Sequence, residues 1–215
     1  MLHSMTSADG GLLLQSRGHY LRGGYRERHF DLFKRWGTAQ SAALRDILGS
    51  RYIMFGEWVY AKHTVYYDAL PHYFLEFDIF DRETGVFLDT AARRAMLKGA
   101  PVASVPVLGE GAYKTLDELL KLVGPSRYVT ENRRDNLQAA AVKLGLDVES
   151  VFSETELSGM AEGLYIKIEE NGRVVDRMKY VRAKFWQSVF QSESHWIDRP
   201  IIPNQLAVPM ETLFE

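Results

Sequence analysis

The chain has 215 residues, of which 46% are hydrophobic, so it is long enough to bury a sizeable core as one domain or as a large domain with a small appendage. The formal net charge of −2 argues against a generally basic nucleic-acid coat protein, and the absence of cysteine excludes a disulfide framework, a thiolate zinc site and a cysteine nucleophile. No stretch approaches the ~20 apolar residues of a membrane helix, and the chain does not begin like a secretory signal, so we expect a cytoplasmic protein without a membrane partner.

The first predicted strand, Leu12 to Gln15, follows the turn signal Asp9-Gly10-Gly11 and therefore indicates the second arm of a hairpin. Residues 1–8 have little strand character. We therefore expect the first arm to lie further upstream, in a natural domain that begins before residue 1.

A basic segment with interleaved aromatic residues follows this strand. Two interpretations stay open: a surface that follows a phosphate backbone and stacks bases, or an amphipathic helix with a solvated basic face. The basic residues are Arg17, Arg22, Arg26, Arg28, Lys34 and Arg35, and the aromatic ones are Tyr20, Tyr25 and Phe30.

Two core strands are predicted over Tyr52 to Tyr60 and Tyr73 to Phe80, because both stretches are rich in aromatic and branched residues. A turn at residues 81–85 leads into a third strand, Val86 to Leu88. A helix is expected from Thr90 to Lys98.

Helix signals dominate the region that follows. Thr115 and Glu118 form a capping box, and Gly124-Pro125 closes the helix that they begin. A second helix is predicted from Arg133 to Lys143, with an apolar face made of Leu137, Ala140, Ala141 and Leu144. The order of elements predicts an α+β fold of mainly antiparallel sheets with flanking helices.

A hairpin over Gly163 to Arg177 carries the most regular alternation in the chain, with its turn at Asn171-Gly172. A two-residue loop would put Lys167 and Lys179 on opposite faces, whereas a three-residue loop would place both on one face. Asn-Gly is typical of the shorter turn, but we favour the longer one because it pairs apolar residues. Those pairs would be Leu164 with Met178 and Ile168 with Val174.

Four short motifs occur in a fixed order at domain-scale spacing. They are Phe55-Gly56-Glu57-Trp58, Phe77-Asp78-Ile79, Glu162-Gly163-Leu164-Tyr165-Ile166-Lys167 and Lys179-Tyr180-Val181-Arg182-Ala183-Lys184-Phe185. In this order they resemble the motifs of covalent nucleotidyltransferases, in particular the phage-type nick-sealing RNA ligases. The resemblance implies a nucleotidyltransferase (ATP-grasp-like) domain over residues 1–215, without a separate C-terminal barrel domain.

The resemblance also implies a site for ATP and for Mg²⁺ or Mn²⁺. Leu14-Gln15-Ser16-Arg17-Gly18 is similar to the arginine-containing motif of the family. The implied residues are Arg17 for phosphate, Glu57 for the ribose hydroxyls, Phe77 for stacking on adenine, Asp78 for support of the site, Glu162 for the metal, and Lys167 and Lys179 for the triphosphate.

Ordinary structural roles compete with these assignments. Phe77 also fits a core aromatic, Glu57 a locally paired strand-end carboxylate, and the two lysines a solvent-facing strand edge. The acidic neighbours of Phe77, Glu76 and Asp78, favour the site, because two acids in a core strand are costly without partners.

Two departures from the family pattern limit the resemblance. The last motif usually has two lysines separated by one residue, but Val181 stands at the second position and leaves Arg182 or Lys184 to supply the charge. The nucleophilic lysine of the Lys-x-Asp-Gly or Lys-x-His-Gly motif is absent from the chain. Ser7-Ala8-Asp9-Gly10 mimics the motif with serine in place of lysine, but it lies too close to Arg17, so we interpret Asp9-Gly10 as a turn. The chain therefore looks truncated before its nucleophile.

The leading hypothesis is an ATP-dependent RNA ligase that joins a 5′-phosphate and a 3′-hydroxyl of RNA through lysyl-AMP and RNA-adenylate intermediates. The alternative is a non-catalytic nucleotide- or RNA-end-binding module derived from a ligase. A capping enzyme or DNA ligase is disfavoured, because those families usually carry an appended small barrel. The segment from Ser194 to Asn204 is expected to be an extended strap, and nothing in the sequence predicts the oligomeric state.

Overall fold

A computed structural model describes residues 2–8, 11–190 and 200–215 of the chain. Its strands are β1 (Leu2–Ala8), β2 (Gly11–Ser16), β3 (His19–Tyr20), β4 (Tyr52–Trp58), β5 (Phe74–Asp81), β6 (Val86–Leu88), β7 (Ala103–Ser104), β8 (Gly163–Glu170) and β9 (Arg173–Val181). Its helices are α1 (Asp31–Ala39), α2 (Ser41–Leu48), α3 (Thr90–Met96), α4 (Leu116–Leu120), α5 (Arg133–Lys143), α6 (Val148–Ser153) and α7 (Ala183–Phe190).

The described strands form one nine-stranded sheet in the order β3-β2-β1-β4-β5-β6-β9-β8, with β7 paired to β5. All neighbours are antiparallel except β5 and β7. The predicted α+β class with mainly antiparallel pairing is therefore confirmed. No helix among the described residues has the length and apolar character needed to cross a bilayer.

The expectation of a missing first hairpin arm is wrong, because β1 is that arm. It pairs with β2 in a register that joins Met5 to Leu14 and Ala8 to Gly11, and it pairs with β4 on its other side. Met5 is fully buried. A central strand gains its stability from neighbours on both sides, which explains why a stretch of weak strand propensity still forms one.

The main core lies between the sheet and the helix pair α1 and α2, neither of which was predicted. Phe33 and Trp36 of α1 stack on Phe74 of β5 at ring-centroid distances of 5.7 and 5.6 Å. Leu44 and Leu48 of α2 are fully buried beside them. This aromatic layer fixes the central strands that carry two of the sequence motifs.

The predicted middle elements lie close to their expected positions. β4 ends at Trp58 instead of Tyr60, β6 has the predicted bounds, and α5 spans Arg133–Lys143 as predicted. In α5, Leu137 and Ala141 are buried in a second core cluster, whereas Leu144 lies just after the helix and is exposed.

The capping box at α4 forms, although the helix is shorter than predicted. The Thr115 hydroxyl oxygen accepts the Glu118 amide at 3.3 Å. The Glu118 carboxylate accepts the amide of Lys114 at 2.8 Å, one residue before the expected partner. α4 spans only Leu116–Leu120.

The basic segment is not one helix. It contains the β2–β3 turn, β3, a 3₁₀ helix over Tyr25–Phe30 and the start of α1. Phe30 is buried in the core, so it is not a base-stacking residue, whereas Tyr20 is exposed with the Arg22 guanidinium 5.9 Å from its ring centroid. The Glu27 carboxylate is buried and accepts the amides of Arg22 and Gly23 at 3.2 and 2.7 Å.

The hairpin of β8 and β9 has the two-residue turn, so our preference for the longer loop is wrong. Asn171 and Gly172 both have positive φ, at 53° and 81°. The register shifts by one residue between Ile168 and Glu169, which adds a bulge and pairs Lys167 with Arg177. Because of the bulge, Lys167 and Lys179 lie on one face, as the longer loop also predicted.

Residues 200–204 form the expected extended strap, while residues 191–199, including His195 and Trp196, lie outside the described residues. Asn204 is buried and binds the loop between β4 and β5 through its side chain and main chain. Its amide donates to the Tyr60 carbonyl at 2.7 Å, and its side-chain amide donates to the Val59 carbonyl at 2.8 Å. The strap therefore fixes the loop between β4 and β5.

Candidate active site

Two acidic residues of β5, Glu76 and Asp78, are buried with 0% and 1% exposure. Each carboxylate has cationic or hydroxyl partners, as the cost of burying charge requires. Glu76 pairs with Arg93 of α3 and accepts the Ser104 hydroxyl at 2.7 Å. Asp89 caps α3 by accepting the Ala92 amide at 2.8 Å, which places Arg93 one turn further on.

Asp78 joins β5 to the inner face of the β8–β9 hairpin. The Lys167 ammonium lies 2.7 Å from Asp78 Oδ1. The Tyr165 hydroxyl donates to Asp78 Oδ2 at 2.6 Å, and the Arg177 guanidinium donates to the same oxygen at 3.3 Å. One carboxylate thus holds three side chains that the hairpin register places on a common face.

Lys167 lies at a gap in strand pairing along one edge of β5. On that edge β7 pairs with Leu75 and Glu76 and β6 pairs with Phe80 and Asp81. Lys167 donates to the carbonyl of Phe77 between them. Burial, and then the positive charge of Arg93, lower the pKa of Lys167, while Asp78 opposes this shift.

Phe77 and Tyr165 form an aromatic pair at the same place. Their ring centroids are 5.5 Å apart with an interplanar angle of 75°. Phe77 is half-buried and Tyr165 is 41% exposed, so both rings present part of their surface to solvent. Phe77 is therefore not a fully buried core aromatic.

Glu162 immediately precedes β8 and faces the loop between β4 and β5. The Tyr67 hydroxyl donates to Glu162 Oε1 at 2.5 Å. Burial raises the pKa of Glu162, the Tyr67 hydrogen bond opposes this, and the negative charge of Glu57 adds to the rise. Burial also raises the pKa of Tyr67 well above its ordinary value, so its hydroxyl remains a donor.

Arg17 and Glu57 lie at the same end of the sheet. In the β1–β4 register Leu2 pairs with Glu57, and in the β1–β2 register His3 pairs with Ser16, the residue before Arg17. Arg17 is exposed in the turn after β2. The strand order thus brings the residues predicted to contact phosphate and ribose to one end of the sheet.

Lys179 is exposed on β9 and pairs in register with Tyr165. Its charge acts on Glu162 and lowers the pKa of that carboxyl against the effect of burial. Lys179 therefore lies on the exposed side of the site, where its charge reaches Glu162, whereas Lys167 is partly buried beside Asp78.

Arg182 does not replace the second lysine of the last motif. Its guanidinium donates to the Ala161 carbonyl at 3.1 Å and lies 3.4 Å from Glu156. These contacts turn the side chain toward the loop before β8. Lys184 is exposed on α7.

The seven predicted site residues come from five separate sequence segments. Contacts join Phe77, Asp78 and Lys167, and the charges of Glu57 and Lys179 act on Glu162, whereas Arg17 is placed by strand register alone. A model of the RNA ligase family matches residues 3–181, which is most of the chain. The chain belongs to the RNA ligase family. Comparison with curated proteins finds no match.

Similar solved structures include three of Naegleria gruberi RNA ligase. One lysine-to-alanine mutant with ATP and Mn is 16% identical, covers 86% of this chain and 48% of its own, and has a TM-score of 0.53. A second such mutant with ATP and Mn is 15% identical, with 87% and 48% covered and a TM-score of 0.53. The form with PPi is 16% identical, with 89% and 49% covered and a TM-score of 0.52.

Because the sequence identities are low, these likenesses show only that the chain shares the fold of the RNA ligase structures. The chain spans about half the length of the solved structures it matches. The activity of a whole ligase therefore enters only as a proposal.

The donor set of the candidate site fits Mg²⁺ or Mn²⁺. Glu57 and Glu162 place two carboxylates close enough to influence each other, and a divalent cation would relieve their repulsion. Among the described residues, no three potential metal-binding side chains cluster together. Mg²⁺ is commonly held by one or two carboxylates, with phosphate oxygens and water completing its shell, so two carboxylates suffice.

Gly163, which follows Glu162, shows why the motif requires glycine. A Cβ built at Gly163 would lie 1.9 Å from the carbonyl oxygen of Tyr180, which is main chain and cannot rotate away. We expect Gly163→Ala to lower the free energy of unfolding by about 1–3 kcal/mol, the usual cost of overpacking. Urea unfolding followed by circular dichroism measures the change.

Gly124→Ala is the control for this variant, because a Cβ there meets nothing within 4 Å. Its unfolding should stay close to that of the parent. Equal stability of Gly163→Ala and Gly124→Ala would contradict the close approach of β8 and β9.

Several residues of the candidate site were missed by the sequence interpretation. Tyr165 and Arg177 carried a signal, because their alternation with Lys167 and Lys179 places all four on one hairpin face. Arg93 and Tyr67 carried none, since each reaches its partner from a distant element. The Tyr67–Glu162 contact spans 95 residues of sequence.

Proposed function

We propose that this chain is the adenylyltransferase domain of an ATP-dependent RNA ligase that joins RNA ends through lysyl-AMP and RNA-adenylate intermediates. The observation that carries the proposal is the contact of Lys167 with both Asp78 and Phe77, which joins two separate motifs, while the charges of Glu57 and Lys179 act on Glu162. Membership of the RNA ligase family supports RNA as the substrate.

ATP would bind beside Phe77 of β5 and the β8–β9 hairpin. The exposed part of the Phe77 ring would stack on adenine, a contact worth about 1–3 kcal/mol per base in nucleic-acid complexes. Glu57, at the end of β4, would accept hydrogen bonds from the ribose hydroxyls. Asp78 would act indirectly, by fixing the hairpin beside the base.

The triphosphate would lie toward the basic side chains. The Lys167 ammonium has three N–H donors; it donates to the Phe77 carbonyl and lies 2.7 Å from Asp78 Oδ1 as an ion pair. A remaining N–H would donate to a phosphate oxygen. The exposed side chains of Lys179 and Arg17 would neutralise further charge on the phosphates. Charge neutralisation is the main requirement of nucleotidyl transfer.

The divalent metal would be held by Glu162 and would supply charge neutralisation on the phosphates. In the complete reaction, a lysine amine attacks the α-phosphorus and releases pyrophosphate, AMP passes to an RNA 5′-phosphate, and a 3′-hydroxyl displaces AMP. No Lys-x-Asp-Gly or Lys-x-His-Gly motif occurs in this chain to supply that amine.

The missing motif favours one alternative, a nucleotide- or RNA-end-binding module without catalysis. The coding sequence upstream separates the two. An upstream in-frame sequence that encodes Lys-x-Asp-Gly or Lys-x-His-Gly would favour the ligase. A protein that includes it should seal a nicked RNA duplex with ATP and Mn²⁺, whereas a binding module would hold the RNA without sealing it.

For the chain as it stands, we expect reversible binding of ATP in the presence of Mn²⁺ without a covalent adduct. The reason is that the chain contains no lysine in a Lys-x-Asp-Gly or Lys-x-His-Gly motif to attack ATP. Isothermal titration calorimetry measures the binding, and labelled ATP followed by a denaturing gel detects any adduct. A labelled band that maps to a lysine would show that the nucleophile lies elsewhere in the chain. Absence of both binding and adduct would contradict the proposed ATP site.

A further inference from the structure

Tyr67 contacts the proposed metal carboxylate although it belongs to none of the sequence motifs. Its hydroxyl donates to Glu162 Oε1 at 2.5 Å. A hydrogen bond to an ionised acceptor is short and about twice as strong as one between neutral groups. The contact engages Oε1, so it restrains the position of the carboxylate, and a cation would bind through Oε2.

Both main-chain polar groups of Tyr67 are bound to the C-terminal strap. The Tyr67 amide donates to Asn204 Oδ1 at 2.9 Å, and the Tyr67 carbonyl accepts the Gln205 amide at 2.8 Å. Asn204 is 2% exposed. The main chain of Tyr67 is therefore held from both sides by a segment that lies far away in sequence.

The ring of Tyr67 is also restrained. It packs edge-on against Tyr128, with ring centroids 6.0 Å apart and an interplanar angle of 87°. The next residue, Asp68, is buried and accepts the Thr130 amide at 2.7 Å and the Asn136 side-chain amide at 2.9 Å. The position of the Tyr67 hydroxyl is thus set by the hydrogen bonds to the strap, by the contact with the Tyr128 ring and by the hydrogen bonds of Asp68.

We propose that Tyr67 is a positioning residue that orients the Glu162 carboxylate for the divalent metal, and that the strap around Asn204 holds Tyr67 in place. This inference rests on the proposed function, in which Glu162 binds the metal. It adds a tyrosine and a C-terminal asparagine to the residues on which metal-dependent ATP binding depends.

The test is Tyr67→Phe, which removes the hydroxyl and keeps the ring. Affinity for ATP at fixed Mn²⁺ is measured by isothermal titration calorimetry on the full chain. Partners that orient a metal ligand typically change metal affinity or activity about 10–100-fold, so we expect ATP binding with Mn²⁺ to weaken by at least about tenfold. Tyr66→Phe is the matched control, because the neighbouring ring packs in the second core cluster, and it should change the affinity less than about twofold.

A double-mutant cycle with Glu162→Gln separates positioning from a general effect on the fold. If Tyr67 acts through the carboxylate, Tyr67→Phe should have almost no effect in the Glu162→Gln background. An equal weakening in both backgrounds would overturn the inference. This comparison holds even if Tyr67→Phe lowers the melting temperature.

The outcomes also separate this inference from the proposed function. If Glu162→Gln weakens binding and Tyr67→Phe binds like the parent, the positioning role is wrong and the metal site stands. If Glu162→Gln binds like the parent, the proposed metal role of Glu162 is wrong, and the role of Tyr67 is wrong with it.

Discussion

Asp78→Ala should lower the free energy of unfolding by about 3–5 kcal/mol, which is the cost of removing one partner from a buried ion pair. The variant leaves the Lys167 ammonium, whose side chain is 10% exposed, without its carboxylate and with the charge of Arg93 still acting on it. For a chain of this size, this corresponds to a melting temperature lower by about 6–20 °C. Differential scanning calorimetry and urea unfolding measure both quantities.

Asp46→Ala provides the control, because Asp46 is exposed on α2 and its loss should change stability by less than about 0.5 kcal/mol. Asp78→Asn keeps the shape of the side chain and removes the charge, so it should fall between Asp78→Ala and the parent. If Asp78→Ala unfolds within about 1 kcal/mol of the parent, the three contacts of Asp78 do not hold the hairpin on β5.

The sequence was a good guide where local chemistry determines the structure. The bounds of α5 and β6 follow from apolar periodicity and turn residues, and the Thr115 cap forms as its spacing predicts. The acidic pair in β5 was also informative. Burying Glu76 and Asp78 in one strand requires cationic partners, and the structure supplies Arg93 for one and Lys167 for the other.

Other features depend on tertiary context and could not be predicted. β1 has weak strand propensity and is stabilised by two neighbouring strands, which no local pattern shows. The bulge beside Val175 shifts the β9 register by one residue. A two-residue turn and a bulge together place Lys167 and Lys179 on one face, as a longer loop would. The predicted face was therefore right, although the predicted turn was wrong.

The distant contacts of the site depend on the loop between β4 and β5. The apolar residues of this loop follow no regular pattern. The loop nevertheless carries Tyr67 and is fixed by hydrogen bonds to the strap at Asn204. The sequence interpretation assigned no chemistry to the strap. Its contact with the loop follows from the tertiary fold, because the strap returns to the loop that faces Glu162.

Lys179→Ala should weaken ATP binding with Mn²⁺ by about 10–150-fold and leave the melting temperature almost unchanged. A hydrogen bond to a charged group contributes about 1.5–3 kcal/mol, and each 1.4 kcal/mol corresponds to a tenfold change in affinity. Lys179 is exposed, so its removal leaves no buried group without a partner. Lys167→Ala should instead lower both affinity and stability, because it strips Asp78 of its closest cation.

Lys143→Ala, at the exposed end of α5, is the matched control for Lys179→Ala and should change neither quantity. Calorimetric titration with ATP and Mn²⁺, paired with thermal melting of each variant, measures the two effects separately. Parent-like affinity in Lys179→Ala would make Lys179 a solvated surface lysine and remove it from the proposed triphosphate site. A large loss of stability in the same variant would contradict its exposed position, because only a lysine with structural partners should destabilise the fold when removed.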